Sequence, residues 1–422
     1  MNDITQALDK LHEIWNSLCK TKVLQNYSYM TVLQVASALI GFIIYPIVIR
    51  RIGVEQYGLY VFILSVVLYF QVVIEFGFDF PALKTVSLHS DDKRILSEVV
   101  SAVFYLKFLL FVMMAVVASV VVWAIPMLRD YAWLFVVIFA QNAVNILFPQ
   151  WYFQGRKAMR TPVVINFVCR LLQIPLVLLF VHTQQDVFVY ALIVSGTMVM
   201  GGVAAMAQIY HEGVHLCRVP LNVIRDYIKA GWPFFLTDLA TNVKDRVQTN
   251  LIAVCLGLQE VAIYDLATKV VQIPRLFTQS VNKALFPEMV TNPLPARIQK
   301  VVRYERMIAL AMMLAVAVFG YPVILFLGGW QMIAAYPIAV LLSITIYTWL
   351  EVGAYLQFVF IPHNRYSWVT LNQVIACLSC LLLMAAGLLW RHNLYIFVSA
   401  LVVSGFAELL FCRIMIKKHR LL

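Results

Sequence analysis

Twelve long apolar stretches, separated by short polar links, follow one another along the chain. A membrane-spanning helix needs about 20 consecutive, mostly apolar residues, and each stretch is long enough. The stretches lie at 27–49, 57–81, 99–125, 131–153, 161–182, 187–209, 229–257, 260–287, 304–328, 331–360, 367–390 and 393–412. The pattern predicts an all-α integral membrane protein of about twelve transmembrane helices.

The links carry different charge on the two sides of the predicted membrane. Lysine and arginine concentrate in the cytoplasmic loops of membrane proteins. With alternating sides, 21 of these residues lie on the side of both termini, and the other side has Arg50, Arg51, Arg129 and Arg391. We therefore expect both termini in the cytoplasm, which requires an even number of spans. Arg50 and Arg51 are the pair that departs from the rule.

The two halves of the chain resemble each other in the link after their first span. Ile52–Tyr60 has the sequence Ile-Gly-Val-Glu-Gln-Tyr-Gly-Leu-Tyr, and Leu256–Tyr264 has Leu-Gly-Leu-Gln-Glu-Val-Ala-Ile-Tyr. Six spans separate the copies, so the halves run in the same direction. This predicts two parallel six-helix bundles around a central cavity, with the substrate site between the halves. Chance similarity between apolar sequences is the alternative.

This organisation divides the chain into five parts. Near the N-terminus, Ile4, Leu8, Leu11 and Trp15 recur at helical spacing among lysines, which is typical of a helix on the membrane surface. The expected parts are an interfacial N-terminal helix at 1–26, an N-terminal bundle at 27–209, a cytoplasmic central linker at 210–228, a C-terminal bundle at 229–416 and a basic cytoplasmic tail at 417–422.

Composition supports a membrane protein and narrows its chemistry. Charged residues make up 13% of the 422 residues, against about 25% in soluble proteins. The net charge of +11 has two interpretations, the usual bias of cytoplasmic loops or an anionic substrate or lipid. Nucleic acid is not indicated, because the basic residues form no single patch. No metal-ligand set, phosphate loop or nucleophile motif is visible, so no cofactor is expected and a transporter is favoured over an enzyme.

Spans seven and eight are unusual because each has a polar face along its length. The polar arc of span seven holds Thr237, Asp238, Thr241, Asn242, Lys244, Asp245, Arg246, Gln248, Thr249 and Asn250. The polar face of span eight holds Asp265, Thr268, Lys269, Gln272, Arg275, Gln279, Asn282 and Lys283. Charges inside a bilayer face a partner or a water-filled cavity. A dry salt-bridge network is one alternative, but a cavity satisfies so many groups more simply, and the excess of cations favours an anionic occupant.

Other charged residues are scattered through the apolar stretches. Glu75 and Asp79 lie in span two, which corresponds to span eight in the repeat, so this pair is placed to line the same cavity from the other half. Four charges are isolated in sequence, and both structural and functional roles stay open for them: Lys107, Arg170, Glu351 and Glu408.

Three motifs resemble a known family. Pro46–Tyr60 is similar to the signature after the first span of bacterial polysaccharide flippases of the Wzx type. Phe76-Gly77-Phe78 and Trp151–Gly155, with Met159 after it, are similar as well. These flippases belong to the multidrug/oligosaccharidyl-lipid/polysaccharide exporter superfamily. The family often has Glu two residues after the glycine of the fourth-span motif, where this chain has Lys157, so a role for that acid is in doubt.

The resemblance implies a function. Members move an undecaprenyl-pyrophosphate-linked oligosaccharide, such as an O-antigen, capsule or exopolysaccharide unit, from the cytoplasmic to the outer leaflet of the bacterial inner membrane. We expect alternating access, with H⁺ or Na⁺ coupling and other polysaccharide assembly proteins as further partners. In related lipid flippases, spans one, two, seven and eight line the cavity.

Under this hypothesis the polar residues take three roles. The cations that attract the pyrophosphate are Arg275, Lys269, Lys244, Arg246 and Lys283. The sugar-facing residues are Asn242, Gln248, Thr249, Asn250, Gln272 and Gln279. The acids that balance charge or bind a coupling ion are Asp238, Asp245, Asp265, Glu75 and Asp79.

Two alternatives come from other functional classes. A multidrug exporter of the same superfamily favours cationic cargo, so its cavity is expected to be acidic, whereas cations outnumber acids on spans seven and eight. A polysaccharide polymerase or ligase carries a large external loop, whereas all external links here are short.

Overall fold

The structure is a computed structural model that describes residues 22–291, 295–363, 365–390 and 393–419. Side-chain surroundings are described from Ile40 onward, except at residues 237, 240–241, 244–245, 276–294, 296, 366 and 388–390. The predicted interfacial helix at 1–26 therefore lies almost wholly outside the described residues, as does the end of the basic tail.

The described residues fold into helices without β-strands, as predicted. The helices are α1 Lys22–Glu75, α2 Asp79–Leu88, α3 Lys93–Ala124, α4 Ala132–Gly155 (interrupted by a 3₁₀ turn at Ala140–Ala143 and broken at Phe148 and Pro149), α5 Arg160–Phe180, α6 Val187–His211, α7 Leu221–Cys255, α8 Leu258–Thr291, α9 Pro295–Gly328, α10 Ala335–Tyr355 (continued by a π-helical turn at Leu356–Phe360), α11 Tyr366–Trp390 and α12 Leu394–His419.

Nine segments in the described part of the chain are long and apolar enough to cross a membrane. The first of them, Ile40–Glu75, belongs to α1, and α7 and α8 are not among the nine. This agrees with the polar faces that the sequence places on those two helices. The protein is a multi-pass membrane protein, and the exact number of twelve spans stays a prediction.

Two glycines make the matching turns of the repeat. Gly53 breaks α1 with φ of 82°, and Gly257 separates α7 from α8 with φ of 106°. A side chain at such positive φ is strained, so glycine is the residue that allows these turns. The five residues from Gly53 to Tyr57 correspond to those from Gly257 to Val261 in the sequence repeat. The repeat thus has the same turn in both halves.

The helices pack as two bundles that meet through α1, α7 and α8. In the N-terminal half α1 contacts α3, α4 and α5, and in the C-terminal half α10 contacts α8, α9 and α12. Between the halves, α1 packs against α7 and α8. Gly58 approaches the backbone carbonyl of Leu258 so closely that an added Cβ would overlap it. The two repeat segments therefore press against each other at this end of the molecule.

Arg50 and Arg51 are explained by helix capping. Arg51 Nη1 donates to the carbonyls of Leu178 at 2.7 Å and Val181 at 2.6 Å, at the end of α5. Arg50 Nη2 donates to the carbonyl of Phe326 at 3.1 Å, in the last turn of α9. Terminal carbonyls of a helix lack intrahelical donors and attract cations. The pair that departs from the charge rule thus caps one helix in each half.

Candidate functional site

Lys269 on α8 projects into a cluster of tyrosines from the other half. Its Nζ pairs with Asp265, one turn earlier on the same helix, and donates to Tyr57 Oη at 2.6 Å. Tyr57 in turn donates to Asp265 Oδ2 at 2.5 Å. The ammonium lies 4.0 Å from the ring centroid of Tyr45, a cation–π distance. The Asp265–Lys269–Tyr57 cluster therefore joins α8 to both parts of α1.

A cavity of about 240 Å³ adjoins this cluster. It lies among α1, α4, α5, α6 and α8, and Arg170 of α5 lines it together with Lys269. Its other polar lining residues include Asn166, Gln173 and Tyr190. We call it the N-side cavity. Two cations from different helices thus line this cavity together with Asp265, and Arg170, whose role the sequence left open, is one of them.

Arg275 lies six residues further along α8 and faces the C-terminal half. Its guanidinium donates to Thr345 Oγ1 on α10 and lies 5.5 Å from the ring centroid of Trp349. It lines a second cavity of about 260 Å³ among α8, α10, α11 and α12. We call it the C-side cavity. Glu408, another residue whose role was open, lines it as well.

The two cations thus diverge, although the sequence analysis placed them on one broad polar face. Six residues at 100° each turn the helix by about 600°, which leaves the two side chains about 120° apart. Because of this angle, Lys269 lines the N-side cavity and Arg275 lines the C-side cavity. Helix α8 therefore supplies one cation to each half.

The described polar residues of α7 fill several environments. Gln248 is 1% exposed and donates to the carbonyl of Phe397 on α12, so the structure places it in a helix contact. Thr249 is buried too. Asn250 is half-buried. It accepts a hydrogen bond from Ser65 Oγ and donates one to Tyr69 Oη at 3.1 Å, so both bonds cross between the halves. Asn242 is half-buried and donates to the Asp238 carbonyl.

The acids of span two meet α7 and α3 at the end of α1. Lys107 of α3 is buried and pairs with Asp79 at 2.6 Å, which gives this isolated lysine a partner. Glu75 accepts from Gln71 at 2.8 Å, and Asp238 of α7 lies within electrostatic range of Glu75 and Asp79. The structure thus brings together three of the five predicted ion-coupling acids and separates them from Asp265.

The remaining predicted residues differ in how far they are described. The side chain of Gln272 is exposed. The side chain of Arg246 is half-buried and lies near Tyr69. The side chains of Lys244, Asp245, Gln279 and Lys283 lie outside the described residues. Their assignments stay predictions. Within the described part of the chain, no three His, Cys, Asp or Glu side chains are grouped to hold a metal ion.

Aromatic residues are the part of the site that the sequence analysis missed. Tyr45 and Tyr57 contact Lys269, and Trp349 contacts Arg275. Aromatic residues are common in membrane helices, so nothing in their spacing distinguishes these three. The one available signal was the position of Tyr57 inside the repeated segment, directly before Gly58.

Comparison with known proteins gives a family and a fold. The family described as "Polysaccharide biosynthesis protein" matches residues 23–292. A relative from Escherichia coli (strain K12) named "Putative O-antigen transporter" is 23% identical over 291 residues, which are 68% of this chain and 69% of the relative. A relative of the same name from Shigella dysenteriae is 21% identical over 258 residues, 60% of this chain and 64% of the relative.

Solved transporter structures share the architecture. One is described as the "Inward-facing conformation of a multidrug resistance MATE family transporter of the MOP superfamily", with a TM-score of 0.70 at 14% identity over 94% of this chain and 99% of that chain. The outward-facing conformation of a MATE family transporter gives a TM-score of 0.56 at 16% identity, over 94% of this chain and 95% of that one. At these identities the similarity establishes the fold alone.

Proposed function

The chain belongs to the polysaccharide biosynthesis protein family, and from that premise we propose that it is a flippase for a lipid-linked oligosaccharide. The cargo is an undecaprenyl-pyrophosphate-linked glycan, the class that the resemblance of the motifs implies and that the names of the two relatives favour. The protein carries this glycan from the cytoplasmic to the outer leaflet of the inner membrane as a transporter and not as an enzyme.

The observation that carries the proposal is the placement of cations on both sides of α8. Lys269 and Arg170 line the N-side cavity, and Arg275 lines the C-side cavity. Intramembrane cations are costly unless they serve a partner or a pathway. Lysine and arginine are the residues that bind phosphate oxygens, arginine through its planar fork. A pyrophosphate passing between the halves along α8 would meet a cation on either side.

The packing suggests how access alternates. The repeat segments at Gly58 and Leu258 press together at one end of the bundles. With both termini in the cytoplasm, that end faces outward, so the described conformation is closed to the outside. Rocking of the bundles about α8 would separate these segments and exchange the contacts of Lys269 with Tyr57 for contacts with the leaving cargo.

The acids near Glu75, at the C-terminal end of α1, are the proposed location of ion coupling. Glu75, Asp79 and Asp238 come from two halves, with Lys107 as the cation among them. A bound H⁺ would relieve the repulsion between these acids and favour the contact of the halves there, because protonation removes negative charge.

Multidrug export is the competing function, since the solved structures named above include multidrug transporters. Their similarity concerns the fold, which hosts both cargo classes. In the N-side cavity, Lys269 and Arg170 outnumber the acid Asp265, so a cationic drug entering it would meet an excess of positive charge. Like charges repel strongly in a medium of low dielectric constant, so this cavity favours the anionic cargo, whereas Glu408 balances Arg275 in the C-side cavity.

Deletion of the gene in its own host tests the proposal. We expect loss of the surface polysaccharide and accumulation of the lipid-linked glycan in the cytoplasmic leaflet, with both restored by the intact gene. The amount of surface glycan and of extracted lipid-linked glycan is measured. Unchanged glycan together with increased sensitivity to cationic dyes would reject the flippase in favour of the drug exporter.

A further inference from the structure

Arg50 and Arg51 are neighbours on α1, but their side chains bind different halves of the molecule. Arg51 donates to the carbonyls of Leu178 and Val181 at the end of α5, which packs against α1 in the N-terminal half. Arg50 donates from Nη2 to the carbonyl of Phe326 in the last turn of α9, at 3.1 Å. The contact of Arg51 therefore stays within one half, whereas the contact of Arg50 joins the two halves.

The acceptor of Arg50 lies where the hydrogen bonds of α9 end. The Gly329 N–H donates to the carbonyl of Leu325, and the chain then turns away because Gly329 has φ of 69°. The last carbonyls of a helix lack intrahelical donors and carry the negative end of the helix dipole. A backbone carbonyl does not titrate, so the bond from Arg50 to Phe326 depends on the position of α9 relative to α1 and not on pH.

The seam between the halves near this contact is polar. It holds a cavity of about 390 Å³, which the two repeat segments line from Ile52 to Gln56 and at Gln259, together with Gln184 and Gln331. Gln259 and Gln331 of the C-terminal half are exposed. A bond that crosses a polar seam can break without exposing a large apolar surface to water.

Arg50 is placed for a contact that forms and breaks. Its side chain and that of Phe326 are exposed, so a released guanidinium is not left as an unpaired buried charge. Arg50 lines neither the N-side nor the C-side cavity. Cargo in those cavities therefore does not compete for it, and its contact acts on the balance between conformations.

We propose that Arg50 is a latch at the outer end of the molecule, which stabilises the outward-closed conformation by holding the C-terminal end of α9 against α1. This inference rests on the alternating access of the proposed function and assigns one of its contacts. When the halves separate, Arg50 leaves the carbonyl of Phe326. Arg51 keeps its carbonyls in both conformations, because α1 and α5 belong to the same half.

Distances between the halves test the latch in the purified full-length protein in lipid nanodiscs without cargo. Spin labels are attached to a cysteine-free protein at Asp130 and Trp330, exposed residues in the outer links before α4 and before α10. Pulsed electron resonance gives the ratio of molecules with a long distance to those with a short one. We expect Arg50→Ala to raise this ratio about tenfold, the effect of one lost hydrogen bond from a charged donor at an exposed site.

Arg51→Ala is the matched control, since it removes a neighbouring cap of the same chemistry that does not cross the seam. It should lower the melting temperature and leave the distance ratio unchanged. An unchanged ratio in Arg50→Ala, or an equal rise in Arg51→Ala, would overturn the latch and leave the proposed function standing.

Two further results complete the test. Arg50→Gln is the second variant, in case Arg50→Ala does not fold. Its amide is shorter and uncharged, so the ratio should rise about fivefold, and no rise would overturn the latch. A rise in the Arg50 variants, combined with no glycan transfer by the intact protein in liposomes, would support the latch and reject the proposed function.

Discussion

Two clusters of buried charge in this protein look alike in sequence and differ in their connections. In the first, Glu351 on α10 is 1% exposed and accepts a two-pronged contact from Arg306 of α9 at 2.6 and 2.9 Å. Arg413 of α12 contacts the same carboxylate at 2.7 Å, and Tyr355 donates to it at 2.9 Å. All four residues belong to the C-terminal half, and they tie three of its helices together.

The second cluster joins the two halves. Asp265 and Lys269 form their pair on α8, but Tyr57 and Tyr45, which complete it, belong to α1. It also lines the N-side cavity, which the Glu351 cluster does not. The comparison shows that the number of contacts does not separate structural from functional charges in a membrane. A better criterion for a functional charge is that its partners move relative to one another and that a cavity adjoins them.

Glu351→Ala should have the largest effect on stability. Removing one partner of a buried ion pair costs about 3–5 kcal/mol, and we expect about 3 kcal/mol here, because Arg306 and Arg413 are 40% and 46% exposed and keep some solvation. The measurement is the amount of folded protein in the membrane and its melting temperature in detergent. Normal abundance combined with lost export would show that Glu351 is functional, against this comparison.

Lys269→Ala should abolish export while it lowers stability less. The change leaves Asp265, whose side chain is 20% exposed, without its cation, but Asp265 keeps the hydrogen bond from Tyr57. We therefore expect a loss of about 2 kcal/mol. Export of the glycan is followed by surface labelling, with membrane abundance measured in parallel.

The exchanged pair Asp265→Lys with Lys269→Asp sharpens the test of this cluster. It retains an ion pair on α8 but moves the cation away from Tyr45. It should restore abundance without restoring export. Recovery of export in the exchanged variant would mean that the pair only holds helices together.

Arg275→Ala should also block export at near-normal abundance, because this residue lines a cavity rather than a packed contact. Arg275→Lys should keep partial export, since the charge remains although the fork geometry is lost. Abundance and surface glycan are measured together. Disappearance of the Arg275→Ala protein from the membrane would place Arg275 with Glu351 as a structural residue.

Gly58→Val should change conformation more than activity. Its added side chain would overlap the Leu258 carbonyl and force the repeat segments apart. Spin labels at Gln56 and Gln259, in a cysteine-free protein, should report a longer distance by pulsed electron resonance than in the same protein with Gly58. An unchanged distance would show that the halves do not separate at this end.

Chemical labelling should give the smallest and most local effect. A cysteine at exposed Gln272 should react with a water-soluble thiol reagent, and one at buried Val270 should not. Gln248, at 1% exposure, should behave like Val270, contrary to what its place on the polar arc suggests. Equal reactivity of Gln248 and Gln272 would restore the cavity position that the sequence assigned to Gln248.

The fold could be predicted from the sequence because its signals are local. Apolar length gave the helices, and Gly53 and Gly257 marked equivalent turns. In the structure, the two helices with polar faces, α7 and α8, pack against α1 across the halves, and the cavity role of those faces stays a prediction. Such features depend on residues close together in the chain, so a single sequence contains them.

The finer geometry of the site depended on distant partners. Periodicity placed Gln248 on a polar arc. In the structure, Gln248 is buried and donates to the carbonyl of Phe397, which is 149 residues away in the sequence. The polar face of span eight held both Lys269 and Arg275, because periodicity alone does not show which neighbouring helix lies on each flank of a broad polar face. Glu351 and Lys107 stayed ambiguous for the same reason, since their partners are 28 to 62 residues away in sequence.

The most direct measurement is transport by the purified protein in liposomes. A fluorescent undecaprenyl-pyrophosphate-linked glycan is placed in both leaflets, and a membrane-impermeant quencher reports the fraction that reaches the outside, under an imposed H⁺ or Na⁺ gradient. The account predicts transfer by the intact protein, none by the Lys269→Ala, Arg275→Ala double variant, and no transport of ethidium by either. Transfer of ethidium without transfer of the glycan would contradict the central claim.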